Sequence, residues 1–284
     1  MSRNLPNFLI AGYPRCGTTF LYQKLKSHPD IFMPDIKEPK FFSNPDYMNQ
    51  LNEYRKLFDG VTNEKCIGEA TPRYIFSRNT AENIHKVLGA NIKIILIFRN
   101  PIERINTLYT RKLYTGEEKR NSLEQILLKE QDKIKHDNDP FENTFYFKKS
   151  ATGVYLSNYL RDPKVFNFDN FYIIKNEEMK NLDGIHKFLG VDNLNNGKSY
   201  TKREYVNKTS TSLPFGKLYT EIPGLSIFIK HIIPNKTKSY IRKRYSQKNP
   251  LTKRCKEIII DTLRNDIELM ESLTEFNLDD YKHI

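Results

Sequence analysis

The sequence predicts an α/β protein: a doubly wound parallel sheet flanked by helices. Three observations carry this. Four short apolar runs alternate with helical stretches along the 284 residues. Each run is apolar on both faces, as in a parallel sheet covered on both sides, rather than alternating like a half-solvated strand. The first run ends in a glycine-framed loop that opens a helix, the arrangement from which such sheets are built.

In chain order, the strands are "NFLIAG" (7–12), "CIGEA" (66–70), "IKIILIF" (92–98) and "NFYIIK" (170–175). The helical stretch "TTFLYQKLKSH" follows the first, "TAENIHKVLG" precedes the third, and "IERINTLYTRKLY" follows it. Then come "SLEQILLKEQDKIK", "GVYLSNYLR", "EEMKNLDGIHKFLG" and the long "LTKRCKEIIIDTLRNDIELMESL". Ligands of such a sheet sit beyond the carboxyl ends of its strands. Asn- and Lys-rich stretches near 193–212 and 234–250 read as loops, not as linkers, so residues 1–284 are expected to form a single domain.

The first loop, "GYPRCGTT", turns at Gly12 and again at Gly17, and Thr18 and Thr19 open the helix. Glycines let backbone amides approach an anion without a Cβ clash, and the positive end of the helix dipole favours a phosphate there. The core is therefore P-loop-like and nucleotide-binding. A triphosphate loop carries lysine after its second glycine. Here Thr18 stands in that place and the nearest cation is Arg15, within the loop. The site suits one terminal phosphate better than a triphosphate chain, with Arg15 and the stretch Cys16–Thr19 around it.

A second cluster, "FRNPIERINTLY" (98–109), puts Arg99 at the tip of an internal strand and Thr107 on the helix that follows Pro101. A guanidinium fork with a hydroxyl makes an economical clamp for a second phosphate. Glu103 and Arg104 read as a surface pair.

These two clusters, in this order, resemble the PAPS-dependent sulfotransferases (PAPS is 3′-phosphoadenosine 5′-phosphosulfate). "GYPRCGTTFL" looks like their 5′-phosphosulfate loop and "RNPIERINTLY" like their 3′-phosphate motif. "GVYLSNYLR", "FYIIKNEEM", "IHKFLGV" and the closing helix continue the likeness over nearly the whole chain. The resemblance implies a loop that grips the 5′-phosphate without a metal, with Arg99 and Thr107 on the 3′-phosphate. The family usually has serine at Thr107 and often lysine at Arg15. Arginine keeps the charge but is a poor proton donor, so Arg15 is expected to stabilise charge on the bridging oxygen. "VNKTSTS" (206–212) occupies the place of the loop that closes over the nucleotide, which makes Lys208 a further 3′-phosphate partner.

A hydroxyl acceptor needs its proton removed as the new S–O bond forms. None of the six histidines has a spacing that marks it as a base. "KEPKFFS" (37–43) offers Glu38, which Pro39 restricts to extended geometry. Phe41 and Phe42 can wall the carboxylate and raise its proton affinity. The segment resembles the "E-x-x-F-F" stretch of the heparan-type and bacterial carbohydrate sulfotransferases, which implies Glu38 as the catalytic base. "GEATPRYIF" (68–76) looks like a further family segment, and Glu69 and Arg73 are expected to line the acceptor cleft. Where the glycosaminoglycan branch tends to carry lysine, this chain has Ala70.

The expected reaction is sulfuryl transfer from PAPS to a hydroxyl, of a carbohydrate or glycolipid, with no metal. A net charge of +12 suits anionic ligands. Three scattered cysteines, Cys16, Cys66 and Cys255, define no disulfide framework. Together with the lack of a signal-peptide core they lead to the expectation of a cytoplasmic protein. Residues 222–246 join a broken apolar run to basic followers, compatible with peripheral membrane contact, although a packed surface segment is the simpler reading. Two other readings stay open at this point. A P-loop kinase or NTPase would need the missing lysine and an acidic magnesium site. A basic RNA- or membrane-binding protein with a degenerate loop would need aromatic and basic residues interleaved, and here they are spread out. No nucleic-acid partner is expected.

Overall fold

The structure is a computed structural model and describes residues 5–115, 117–118, 122–136, 141–193 and 251–283. The chain divides into two compact units. The first comprises Met1–Arg99, Ala151–Tyr205 and Asp266–Asn277; the second comprises Asn100–Ser150, Val206–Asn265 and Leu278–Ile284.

The first unit holds a five-stranded sheet in the order β2-β3-β1-β4-β5. Its strands are β1 (Phe8–Gly12), β2 (Ile31–Phe32), β3 (Cys66–Ala70), β4 (Lys93–Phe98) and β5 (Phe171–Lys175). Every pairing is parallel. Helices flank the sheet: α1 (Thr18–Lys26), α2 (Leu51–Lys56), α3 (Arg78–Leu88), α7 (Gly153–Leu160) and α8 (Asp183–Leu189). The doubly wound α/β architecture read from the apolar runs is thus present. β1 and β3 are buried along their whole length, which two-sided apolar runs require. Phe8 lies level with Gly68 of β3. A Cβ at Gly68 would sit 2.1 Å from the Phe8 ring, so the strand needs glycine there to make room for phenylalanine. β1 lies between β3 and β4, where the winding direction reverses; a ligand crevice forms outside the strand ends at such a point.

Two elements differ from the sequence expectation. β2 is an edge strand of two residues, too short to leave a periodic signal. α8 starts at Asp183, not at 177, because the Asn181 side chain accepts the Asp183 amide at 2.8 Å and begins the helix there. Ahead of it, Asn176–Glu178 forms a single 3₁₀ turn.

In the second unit, α4 (Pro101–Thr115) opens with proline in its first turn, and Asn100 Oδ1 accepts the Ile102 amide at 2.9 Å as its cap. α5 (Leu123–His136) carries Glu130, whose carboxylate accepts the amides of Phe145, Tyr146 and Phe147. It thereby caps α6 (Tyr146–Ser150). Arg104, expected on the surface with Glu103, is fully buried instead. Its place on the inner face of α4, beside the equally buried Ile105 and Leu108, explains the difference. The helix α9 (Lys253–Thr274) supplies residues to both units, and α10 (Asp279–Lys282) follows it. No helix among the described residues is long and apolar enough to cross a membrane.

Candidate active site

The loop between β1 and α1 is shaped by three residues in left-handed or related conformations. Gly12 has φ 156°, Arg15 φ 70° and Gly17 φ 93°. The Tyr13 amide donates to Ile97 of β4 and the Cys16 amide returns to the Tyr13 carbonyl, so the loop curls back on itself. Gly17 stands at the N-cap of α1, and among the described residues no side chain caps that end. The first-turn amides and the positive end of the helix are therefore left uncapped, a setting that favours an anion, although Thr18 itself is buried. Cys16 is fully buried, whereas the Arg15 side chain is exposed.

Two strand ends support this loop. Gly12 lies level with Ile97, so Arg99 stands just beyond it on the carboxyl edge of β4. Arg99 Nη1 reaches the carbonyl of Arg15 at 3.5 Å, the outer limit of a hydrogen bond, and its Nε lies 4.0 Å from Glu177. Asn176, one residue beyond β5, is buried and donates from Nδ2 to the Cys16 carbonyl at 2.6 Å. A Cβ on Gly17 would fall 2.4 Å from Met179 Cε and 2.6 Å from Asn176 Nδ2. The loop therefore packs on the turn after β5 through a position that only glycine fills.

Glu38 lies on the same carboxyl edge, beside the end of β3. Its amide donates to the carbonyl of Ala70 at 3.1 Å, and Ala70 is level with Ile10 of β1. The Glu38 side chain is 38% exposed and pairs with Lys37 Nζ at 2.6 Å. Its φ is 62°, and that of Lys40 is 59°. The extended geometry expected for Glu38 before Pro39 is thus replaced by a left-handed turn. The amides of Glu38 and Lys40 both point at the exit of β3, and meeting those acceptors requires the turn. Phe41 and Phe42 are buried with Tyr54 and Tyr74; Phe41 stacks on Tyr54 with ring centroids 4.0 Å apart.

Sequence reasoning missed what Glu69 does. It was expected to line the acceptor cleft, but it sits inside β3 with no exposure at all. Tyr54 and Tyr74 both donate to its Oε2, each at 3.1 Å. Burial pushes its carboxyl up to about 7; the hydroxyls of Thr71, Tyr54 and Tyr74 oppose the shift and the Glu38 carboxylate adds to it. Among the described residues no hydrogen bond of ordinary geometry reaches Oε1. The usable sequence signal was a lone acid in the otherwise apolar run "CIGEA". Asn176 was missed as well, since its partner Cys16 is 160 positions away.

The structure thus places Arg15, Cys16, Gly17, Thr18, Thr19, Arg99 and Glu38 on one carboxyl edge of the sheet in the first unit. Thr107 belongs to the second unit, where its hydroxyl donates to the Glu103 carbonyl at 2.8 Å within α4. Lys208 and the stretch 222–246 lie outside the described residues. A glycine-framed loop opening a helix with no side-chain cap, an arginine at the neighbouring strand tip and an accessible carboxylate can hold a phosphorylated ligand and take a proton from a nearby hydroxyl.

Comparison with known proteins shows the family of the chain. The family model described as sulfotransferase domain matches residues 5–213. Over 108 residues the chain is 44% identical to the membrane-associated sulfotransferase kil1 of Dictyostelium discoideum, a match covering 37% of this chain and 22% of that protein. Over 195 residues it is 27% identical to heparan sulfate glucosamine 3-O-sulfotransferase 5 of Mus musculus, covering 66% of this chain and 54% of the relative. The matched stretches thus span about half, or less, of these relatives' own length. The fold is that of a sulfotransferase from Alicyclobacillus acidocaldarius, with a TM-score of 0.66, 23% identity, and coverage of 98% of this chain and 99% of the other. With the family model matching well over half of its residues, the chain belongs to the sulfotransferase domain family.

Proposed function

We propose that the chain transfers a sulfuryl group from PAPS to a hydroxyl of a carbohydrate or glycolipid. The observation that supports this most is the approach of Arg99 Nη1 to the Arg15 carbonyl. It sets a strand-tip guanidinium beside the loop that leads into the N-terminus of α1, an arrangement suited to one ligand with two separate anionic ends. A nucleotide bearing a 5′-phosphosulfate and a 3′-phosphate has that form. Relatives described as heparan sulfate glucosamine 3-O-sulfotransferases support a carbohydrate acceptor.

When bound, PAPS supplies a sulfuryl group joined through oxygen to its 5′-phosphate. In this reading the amides of Gly17, Thr18 and Thr19 hold that phosphate, and Gly17 leaves the space the cradle needs. Arg15 neutralises charge on the bridging oxygen as the sulfur–oxygen bond breaks. Arg99 binds the 3′-phosphate. Glu38 takes the proton of the acceptor hydroxyl as its oxygen bonds to sulfur, opposite the departing phosphate. Thr107 and Lys208 join the donor set through the sequence resemblance alone.

Transfer of labelled sulfate from PAPS to desulfated heparan-type oligosaccharides tests the reading. Glu38→Gln is expected to keep donor affinity and lose about 10² to 10⁴-fold in turnover, the usual scale of a general base. Normal turnover in that variant would assign the base to another residue.

A further inference from the structure

We infer that Glu69 is a positioning residue: through Tyr74 and Tyr54 it fixes the left-handed segment that presents Glu38. The inference rests on the proposed sulfuryl transfer with Glu38 as base.

Segment 38–42 carries two non-glycine residues at positive φ, Glu38 and Lys40, on either side of Pro39. Such conformations persist only where their surroundings over-determine them. Here the surroundings are the last residues of β3 and its exit, taken in sequence. Ala70 accepts the Glu38 amide through its carbonyl at 3.1 Å. Thr71 Oγ1 accepts the Lys40 amide at 3.4 Å. Glu69 completes the set at one remove: its Oε2 receives the Tyr74 hydroxyl, and the same Tyr74 oxygen accepts the Phe42 amide at 3.4 Å. Tyr54, the second donor to Oε2, stacks on Phe41 and meets Phe42 edge-on. Three consecutive residues, 69 to 71, therefore hold residues 42, 38 and 40.

Tyr74 is fixed from a further side, since Tyr159 donates its hydroxyl to the Tyr74 carbonyl. Asn83 Nδ2 binds the Phe42 carbonyl at 3.0 Å. With the frame held this firmly, the orientation of the two tyrosine hydroxyls depends on the acceptor they share. A hydrocarbon at 69 would leave both buried hydroxyls without it, and they would turn away. The groups facing Glu69 are Tyr54 from α2, Thr71 and Tyr74 from the turn after β3, and Glu38 from the segment itself. All but Glu38 are hydroxyls, so the position needs an acceptor oxygen rather than a negative charge. Leu9 of β1 is level with Glu69 in the sheet. The strand that ends in the donor loop and the strand that ends at Glu38 are thus braced side by side.

The test compares the full chain with Glu69→Gln, Glu69→Leu and Tyr74→Phe by sulfuryl-transfer kinetics, calorimetry with 3′,5′-bisphosphoadenosine, and melting temperature. Glu69→Gln keeps an acceptor oxygen and is expected to retain turnover within roughly threefold, as an isosteric acceptor should. Glu69→Leu is expected to lose on the order of 10²-fold in kcat, the cost of a displaced catalytic group, with bisphosphate affinity unchanged. Tyr74→Phe removes the relay without emptying the core and should lose about tenfold in kcat, again at constant nucleotide affinity. It keeps the test sharp if Glu69→Leu fails to fold. Unchanged kcat in Tyr74→Phe, equal losses in the Gln and Leu variants, or nucleotide affinity falling in step with kcat would each overturn the inference. Wild-type chain without transfer, or Glu38→Gln with normal turnover, would instead overturn the parent reading and this inference with it.

Discussion

The side chain of Asn176 donates to the carbonyl of Cys16 at 2.6 Å, in a place closed to solvent. This one bond fixes the peptide preceding Gly17, and through it the direction of the first amides of α1. The turn after β5 thereby sets the geometry of a loop 160 positions earlier in the sequence.

Asn176→Ala should weaken binding of 3′,5′-bisphosphoadenosine by about 5- to 150-fold, since a buried carbonyl left without its partner costs roughly 1–3 kcal/mol. Titration calorimetry reads this directly. An unchanged dissociation constant would mean that the loop holds its shape without Asn176.

Gly17→Ala tests the same contact from the other side. The new methyl would meet Met179 and Asn176 at 2.4 and 2.6 Å, on a backbone at φ 93°. Positive φ alone costs a side chain roughly 1–2 kcal/mol, about tenfold in an equilibrium constant. Nucleotide affinity should fall at least that far. Affinity equal to wild type would show that the loop does not need the close packing seen here.

Much of this was legible in the sequence, and the limits follow a physical rule. β1, β3, β4 and β5 were visible because each is an uninterrupted apolar run, and the donor loop because its glycines and threonines are contiguous. Arg99 was visible because Pro101 marks the strand end. Local order ends there. Asn176 and Cys16 touch only after the sheet has assembled, and Glu69 is an ordinary acid until Tyr54 and Tyr74 close over it. The left-handed turn at Glu38 was also hidden, because Pro39 favours extended backbone locally and hydrogen bonds to Ala70 and Thr71 outweigh that preference. Arg104 was misplaced because a charge says nothing about which helix face will be buried.

Glu69 makes stability depend on pH in an unusual direction. In the folded chain its carboxyl is pushed up to about 7, from an ordinary 4.5. Between these values the folded state keeps a proton that the unfolded state releases. This group's contribution is therefore most favourable at acid pH and is lost as pH rises through that window, by at most about 3 kcal/mol at about 1.4 kcal/mol per unit. Glu69→Gln lacks the titration. Chemical denaturation from pH 5 to pH 8 should show wild type losing stability relative to the variant; a constant difference would mean that Glu69 stays ionised throughout.

Asp266 of α9 gives a purely structural prediction. Its carboxylate accepts the amides of Thr152 at 2.6 Å and Val154 at 2.9 Å, which caps α7. Gly153 between them has no room for a Cβ, which would lie 2.4 Å from the Asp266 carbonyl. Asp266→Ala should cost about 1–3 kcal/mol, since it removes a cap and leaves buried amides unpaired. Urea denaturation checks this, and a loss under 0.5 kcal/mol, the usual size of a surface change, would contradict it.

The most direct test of the account is calorimetry of the wild-type chain and of Arg99→Ala with 3′,5′-bisphosphoadenosine, alongside ATP with magnesium. The account predicts that the bisphosphate binds wild type with no metal added, that ATP–magnesium binds far more weakly, and that Arg99→Ala loses on the order of 10²-fold in bisphosphate affinity, as expected for a charge-assisted contact. Equal binding of the bisphosphate by both proteins, or a preference for ATP–magnesium, would contradict it.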